Sequence, residues 1–586
     1  MNPAQLLRHF DRIAEAPDAV ARLRRFILDL AVRGKLVEQD PNDEPAAELL
    51  KRINVEKARL AEEGVIRKPK PSAPIQPDEL PIEIPTGWVW IRLCDFGTLS
   101  GGLTPSKNRS DYWDGDIVWL SPKDIKADEI SDSELKITSA GLSETRLELY
   151  PPGSLFMVAR SGILKRTFPV TINRVQAASN QDLKVLVPYL HGSERYLQIM
   201  FRGLTEFILR DLVKTGTTVQ SLKYAEFQVQ PFPIPPLAEQ HLIVAKVDEL
   251  MALCDRLEAA QSKREQRRDR LVAASLNRIN QPAPSTDGET ATVFRERARF
   301  HLDHLPRLTT RPEHIKSLRQ TILNLAVRGR LVPQDPDDEP ASELSKRLVR
   351  ERKQLVAHRQ IRGAKPPPPP EPEKEPLHIP PSWQLCSLGQ IAIITDPNPS
   401  HRYPDYSGGT VPILSTREFS GDTDWNPEAA KLTTEAFWEF QKQICDFADG
   451  DLIFARKGRL GLPRYLPKLD RFTFSHTLFV IKPMKGLDPA YLLWLLRRDE
   501  VVDWLTNEMN QNTGVPTLGK AKTERLPIPL PPLAEQHRIV AKVDELMAVC
   551  DQLEAQLTAT RTDSRRLLEA VLHQALVPAA KQELTA

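Results

Sequence analysis

Cysteine is scarce in this chain: five residues in 586, at positions 94, 254, 386, 445 and 550, with no Cys-x-x-Cys pair. Neither a zinc site nor a disulfide framework is indicated by that spacing. Long apolar runs are missing as well, and none approaches the roughly 20 residues that a membrane span requires. The first twenty residues carry acids and lack the apolar core of a signal peptide. The expectation from these absences is a cytoplasmic chain with no membrane partner. Surplus charge is also lacking. The formal net charge is +2, which is not the strongly basic balance of an obvious nucleic-acid binder.

What is present in abundance is repetition. Pro235 to Asp255 (PPLAEQHLIVAKVDELMALCD) returns almost letter for letter as Pro531 to Asp551 (PPLAEQHRIVAKVDELMAVCD), 296 residues later. Leu23 to Ile53 matches Leu318 to Leu348 at an offset of 295, and the same offset pairs Trp88 with Trp383. Internal repeats decide architecture, and a period near 300 is far too long for a solenoid unit. The chain is two domain-sized modules, a pseudo-two-fold internal repeat. Each half reads as a helical lead-in, a Pro-rich joint, a body and a long helix. The expected boundaries are 1–84 for the first lead-in and joint, 85–234 for body one and 235–281 for the first long helix. Residues 282–380 then form linker, second lead-in and joint, 381–530 body two, and 531–580 the second long helix. The bodies share little continuous identity, so the simplest reading is one fold with two different surfaces.

Short β segments bounded by Gly, Pro, Ser or Asp recur in the bodies: Asp116 to Leu120, Ser154 to Val158, Val411 to Leu414, Asp451 to Phe454 and Thr477 to Ile481. Helical stretches at Glu194 to Val213 and Pro489 to Met509 are mixed in, which makes each body α+β. The Pro-rich joints, Pro69 to Pro85 and Pro366 to Pro381, favour extended polyproline II and act as semi-rigid spacers. In the first long helix Ile243, Val247, Leu250, Cys254 and Leu257 recur at spacings of 4, 3, 4 and 3; in the second, Ile539, Val543, Leu546, Cys550 and Leu553 do the same. That is the a/d seam of a coiled coil. The two seams are expected to pair with each other, with the cysteines serving as small buried hydrophobes. The first helix is expected to run to about Asn280, where Pro282 to Thr290 breaks it.

Charge is sorted locally even though each body is balanced. Lys plus Arg against Asp plus Glu is 17 against 16 in body one and 17 against 18 in body two. Yet Arg160 to Arg174 holds four bases and no acid, and Arg456 to Arg471 six bases and one acid. A lone basic run is usually a solvated loop. Recurrence at matching points of diverged bodies favours a nucleic-acid surface.

Catalytic motifs fail one by one. Gly514-Val-Pro-Thr-Leu-Gly-Lys-Ala521 fits a phosphate-binding loop until Ala521 replaces the Ser or Thr that would hold magnesium. Pro336-Asp337 with Glu351-Arg-Lys353 resembles a nuclease metal site, but its first-half counterparts include Asn42 and Ala58. Asp396-Pro-Asn-Pro399 lacks the aromatic that an amino-methyltransferase stacks on its base, and no Gly-x-Gly-x-x-Gly turn is present. His241 and His537 sit at helix starts, where capping or a surface role fits better than catalysis. The reading is of a chain that is no enzyme and holds no metal.

The order of body, PPLAEQ-x-x-IVAKVDEL helix, second body and second PPLAEQ helix resembles the specificity subunits of type I restriction–modification enzymes, over nearly the whole chain. Gly101-Gly-Leu-Thr-Pro-Ser-Lys107, Trp113-Asp-Gly-Asp-Ile-Val-Trp119, Gly450-Asp-Leu-Ile-Phe-Ala-Arg-Lys-Gly458, Thr215-Gly-Thr-Thr218 and Thr513-Gly-Val-Pro-Thr517 fit that pattern too. The lead-ins of about 80 residues are longer than the family's minimal plan. The resemblance implies two target-recognition domains separated by long, paired, antiparallel coiled-coil helices. It implies double-stranded DNA as ligand, two methyltransferase subunits and restriction subunits as partners, and no cofactor in this chain. S-adenosylmethionine, ATP and magnesium would belong to those partner subunits. The implied DNA contacts are Thr104, Ser106, Lys107, Arg160, Ser161, Lys165, Arg166, Thr217 and Thr218 in body one. In body two they are Arg456, Lys457, Arg459, Tyr465, Thr513 and Thr517. Two other classes stay open: a stand-alone nuclease or methyltransferase, and a bivalent protein-binding scaffold with no nucleic-acid role.

Overall fold

The computed structural model of the chain describes residues 16, 18–68, 72–216, 219–281, 289–358, 379–402, 404–458, 460–508 and 517–576. The chain divides into two units, one of residues 1–264 with 561–586, the other of residues 265–560. Six helices carry the repeat: α1 (Ala19–Val32), α2 (Ala46–Glu62), α3 (Leu237–Asn280), α4 (Pro312–Val327), α5 (Ala341–Ala357) and α6 (Leu533–Leu576). Helix α3 ends at Asn280, as the sequence implies. Each 44-residue helix, α3 and α6, begins in one unit and finishes in the other.

Body one is built on a five-stranded sheet in the order Gly97–Gly101, Leu183–Pro188, Leu155–Val158, Val170–Asn173, Glu129–Ile130. Trp113–Leu120 lies between Leu135–Ile137 and Ala177–Ser179 in a second sheet, and Arg160–Ser161 pairs with Gln220–Leu222 in a third. Body two repeats the plan. Ala392–Thr395, Leu478–Pro483, Leu452–Ala455 and Gly461–Tyr465 form a four-stranded sheet in that order, and Val411–Leu414 is central in a three-stranded one. Every expected β segment falls on a strand. The expected helical stretches each resolve into two helices, Glu194–Gly203 with Thr205–Asp211 and Pro489–Leu496 with Asp499–Asn507. Each body is closed at its root by an antiparallel pair: Val89–Arg92 with Pro231–Ile234, and Gln384–Ser387 with Pro527–Leu530.

The seam residues of each long helix pack against the lead-in helix of the same half. Ile243, Val247 and Cys254 are buried in one cluster with Val20, Ile27 and Ala31 of α1, with Leu250 and Leu257 packed against it. Ile539, Val543 and Cys550 are buried with Ile315, Ile322 and Ala326 of α4, with Leu546 and Leu553 alongside. Spacing shows that a helix must be covered, not by what. Arg24 on α1 bonds Asp255 at 2.5 Å and Glu258 at 2.8 Å, and Arg319 on α4 bonds Asp551 at 2.7 Å and Glu554 at 3.0 Å. These exposed pairs contribute little energy, but their recurrence fixes the lead-ins as equivalent parts. The distal stretches are also spent. Val272, Leu276 and Ile279 of α3 pack with Leu308 and Leu325, while Leu568 of α6 packs with Ala16 and Ala19.

A buried carboxylate anchors each long helix to its body. Glu239 accepts from Trp88 Nε1 at 2.9 Å and from Gln39 Nε2 at 3.1 Å; Glu535 accepts from Trp383 Nε1 at 2.9 Å and from Gln334 Nε2 at 3.3 Å. Burial pushes both carboxyls above the ordinary range, against the lowering effect of those hydrogen bonds. An acid whose folded pKa is raised contributes stability that is present below its unfolded value, about 4.3, and is lost as pH rises through the folded one. The Glu239→Gln, Glu535→Gln variant should therefore gain on the wild type as pH rises from about 4 towards 7. Urea melts across that window check this, and a flat or opposite difference would refute it.

The first Pro-rich joint is held in place over its described residues, 72–85. Arg92, itself buried, donates to the carbonyls of Ala73 and Pro74 at 3.1 and 3.2 Å and pairs with Glu79 at 3.0 Å. Of the second joint, residues 366–378 lie outside the described residues.

Candidate nucleic-acid interface

Three chain segments converge at the same place in each body. In body one they are the loop after Gly97–Gly101, the strand Arg160–Ser161, and the strand Gln220–Leu222, which pairs with it. The loop is pinned by Leu103, whose N–H donates to the Ser179 carbonyl at 2.9 Å and whose carbonyl accepts from Trp119 Nε1 at 3.1 Å. Gly102 is required there, because a Cβ would stand 1.7 Å from the Ser179 oxygen. The pinning leaves Ser106 and Lys107 exposed. Thr104 donates to Gln181 Oε1 at 2.6 Å, and the Ser106 carbonyl accepts from Trp113 Nε1 at 3.2 Å. Arg160 is exposed and Ser161 half-buried.

In body two the corresponding segments start at Asp396, Arg456 and Thr517. Lys457 and Thr517 form an antiparallel bridge, and Arg456 donates from Nε to the Leu518 carbonyl at 3.2 Å. The strand register corrects the equivalence suggested by the letters Arg-Ser-Gly and Arg-Lys-Gly. Val158 faces Leu183 as Ala455 faces Leu478, and Ser221 faces Arg160 as Thr517 faces Lys457. Lys457 is thus the counterpart of Arg160, and Arg456 that of Ala159. A one-residue shift turns a side chain to the other face of a strand. Arg456 is accordingly buried, bonded to Asp396 Oδ2 at 2.6 Å, with its guanidinium 4.4 Å from the centre of the Phe479 ring. Asp396 also holds His401 Nε2 at 3.0 Å. Arg456 knits the three segments together and is not free to touch a ligand, contrary to the sequence expectation; Lys457, half-buried, is the more accessible of the two.

The remaining expected contacts divide. Lys165 is exposed at the end of the turn Gly162–Lys165. Arg166 turns towards the lead-in instead, lining a cleft of about 930 Å³ with Arg22, Arg25, Lys126 and Arg202. Tyr465 is exposed but faces Leu452, at the far end of the ladder from Ala455. Burial raises its hydroxyl pKa, helped by Asp488 and Asp544. The structure does not bring Arg166 or Tyr465 to the convergence. Thr217, Thr218, Arg459 and Thr513 lie outside the described residues.

Lys184 and Tyr224 were missed by sequence reasoning. The Lys184 ammonium lies 4.5 Å from the centre of the Tyr224 ring, and Tyr224 donates to the Leu99 carbonyl at 3.1 Å. A lysine between Leu183 and Val185 in an otherwise apolar strand, where the second body has Phe479, was the available signal. Among the described residues, no group of three or more His, Cys, Asp or Glu side chains could hold a metal ion. No helix among them is long and apolar enough to cross a membrane.

The family model described as the type I restriction modification DNA specificity domain matches residues 85–265 and again 380–560. Each match takes in one body and its long helix, up to the point where that helix enters the other unit. The type I restriction enzyme EcoAI specificity subunit of Escherichia coli is 28% identical over 579 residues, covering 95% of this chain and 94% of that protein. The EcoEI specificity subunit, also from Escherichia coli, is 29% identical over 583 residues, with the same coverage. Among solved structures, the HsdS subunit from Thermoanaerobacter tengcongensis matches at a TM-score of 0.38 and 19% identity, covering 85% of this chain and 98% of that one.

Proposed function

The chain belongs to the family of type I restriction–modification specificity subunits, and on that premise we propose how this DNA-recognition subunit works. It is not itself a catalyst. Each body reads one half of a bipartite, asymmetric DNA site, and the long helices hold the two readers at a set separation. They also dock two methyltransferase subunits, to which restriction subunits are added. S-adenosylmethionine, ATP and magnesium are handled by those partners, and the assembly works in the cytoplasm, where the DNA is.

The observation that supports this reading is the convergence of three segments, built twice with different side chains. Phosphate contacts position a protein on the duplex, and polar groups at base edges specify the sequence. In body one we assign the first task to Lys107, Arg160 and Lys165, and the second to Thr104, Ser106, Ser161, Thr217 and Thr218. In body two Lys457 and Arg459 take the first, Thr513 and Thr517 the second. Two tethered readers convert weak half-site binding into one bivalent event.

Footprinting of the full chain assembled with its methyltransferase subunits tests this. Two protected patches separated by an unread gap are expected. No footprint would favour a protein-binding scaffold, and cleavage or methylation by the purified chain alone would establish an enzyme.

A further inference from the structure

Lys184 sits where the three recognition segments of body one meet. Its strand partners are Gly101, at the root of the loop carrying Thr104, Ser106 and Lys107, and Met157, whose strand runs on into Arg160. The aromatic ring beside it, Tyr224, follows the strand Gln220–Leu222. Gly101 leaves the space that the ammonium occupies, because a Cβ there would stand 2.5 Å from Lys184 Nζ.

Body two has a cation at the equivalent spot, but differently provided for. Its registers place Phe479 at the position of Lys184, Arg456 at that of Ala159, and Asp396 at that of Gly101. Arg456 lies against Phe479 and is neutralised by Asp396 at 2.6 Å. Body one has a cation and an aromatic neighbour at this point, but no carboxylate. Among the described residues the Lys184 ammonium has no ion-pair or hydrogen-bond partner, and the side chain is partly exposed. Burial with nothing to oppose it pushes its ammonium below the ordinary lysine range. An anion brought from outside would relieve that cost, as Asp396 relieves it for Arg456.

We infer that Lys184 binds a phosphate oxygen of the DNA backbone, as a fixed phosphate subsite at the centre of body one, an assignment that rests on the DNA-recognition reading above. Body two, already neutral at this point, takes no phosphate there. The two bodies would then differ not only in the bases they read but in how each is seated on the duplex.

The test uses the full chain assembled with its methyltransferase subunits, with binding to target and scrambled duplexes measured from 50 to 200 mM salt. Lys184→Met removes the charge at similar volume. Gly101→Asp keeps the lysine in the chain, pushes its ammonium out of the space the new Cβ takes, and sets beside it the carboxylate that body two has. Both variants are expected to lower the slope of log affinity against log salt by about 0.9, the value of one phosphate contact. That makes binding roughly threefold less salt-sensitive over this range. Target and scrambled DNA should be affected alike, and Lys184→Arg should keep the wild-type slope. An unchanged slope in both variants overturns the assignment. So does lost target discrimination at constant slope, which would mean base reading. Weakened subunit assembly with DNA binding intact also overturns it, by assigning Lys184 to an acidic protein partner. If the wild-type assembly shows no salt-dependent DNA binding, the DNA-recognition reading itself falls, which is a separate result from a variant that matches a binding wild type.

Discussion

Lengthening both long helices by seven residues, between Ala260 and Gln261 and between Gln556 and Leu557, is expected to cost the assembly its specific site while leaving both bodies folded. Seven residues add about 10.5 Å and return a helix to within about 20° of its starting face. The seam contacts of Ile243 to Leu257 with α1 and the distal contacts of Val272 to Ile279 are therefore kept on their proper faces. On the proposed function, what changes is the separation of the two readers. Affinity for the native site should fall towards the non-specific level, a loss of about 10³-fold or more, while scrambled DNA is bound as before. Binding isotherms on the two duplexes measure this. Undiminished affinity for the native site would mean that the helices do not set the spacing.

Arg456→Ala should unfold body two more readily rather than simply weaken a contact. Its guanidinium is buried among Asp396, the Leu518 carbonyl and Phe479. Removing it takes away the cation that neutralises the Asp396 carboxylate, which keeps only His401 and the Asn398 N–H, and breaking a buried pair from one side costs about 3–5 kcal/mol. Lys457→Ala, one residue on, removes a more accessible side chain and should change stability by less than about 0.5 kcal/mol. Urea melts of the two variants separate them. Comparable stability for both would show that Arg456 is not the knot joining the three segments.

That neighbouring pair shows where sequence reasoning stops. The duplicated frame was legible because it depends on local signals: the PPLAEQ starts, the 4-3 spacing of Ile243 to Leu257, and short apolar strands bounded by turn residues. The lead-ins' role was not legible, because periodicity demands a covering surface without naming it. Only the fold shows α1 and α4 filling the seams. Register was equally hidden. Arg-Ser-Gly and Arg-Lys-Gly line up as letters, yet the ladders are offset by one residue, so an exposed Arg160 and a buried Arg456 looked equivalent. Lys184 escaped because its meaning is comparative, lying in what Phe479, Arg456 and Asp396 do at the same point of the other body.

The central claim is that two diverged readers on a fixed frame recognise two unlike half-sites. Selection of bound duplexes from random-sequence DNA, using the full chain assembled with its methyltransferase subunits, tests it most directly. The account predicts two short defined sequences, unrelated to each other, separated by a constant number of unspecified base pairs. Replacing residues 85–234 with a second copy of 381–530 should then turn the pair into two copies of one half-site. A single continuous motif, a variable gap, or a target unchanged by that exchange would contradict it.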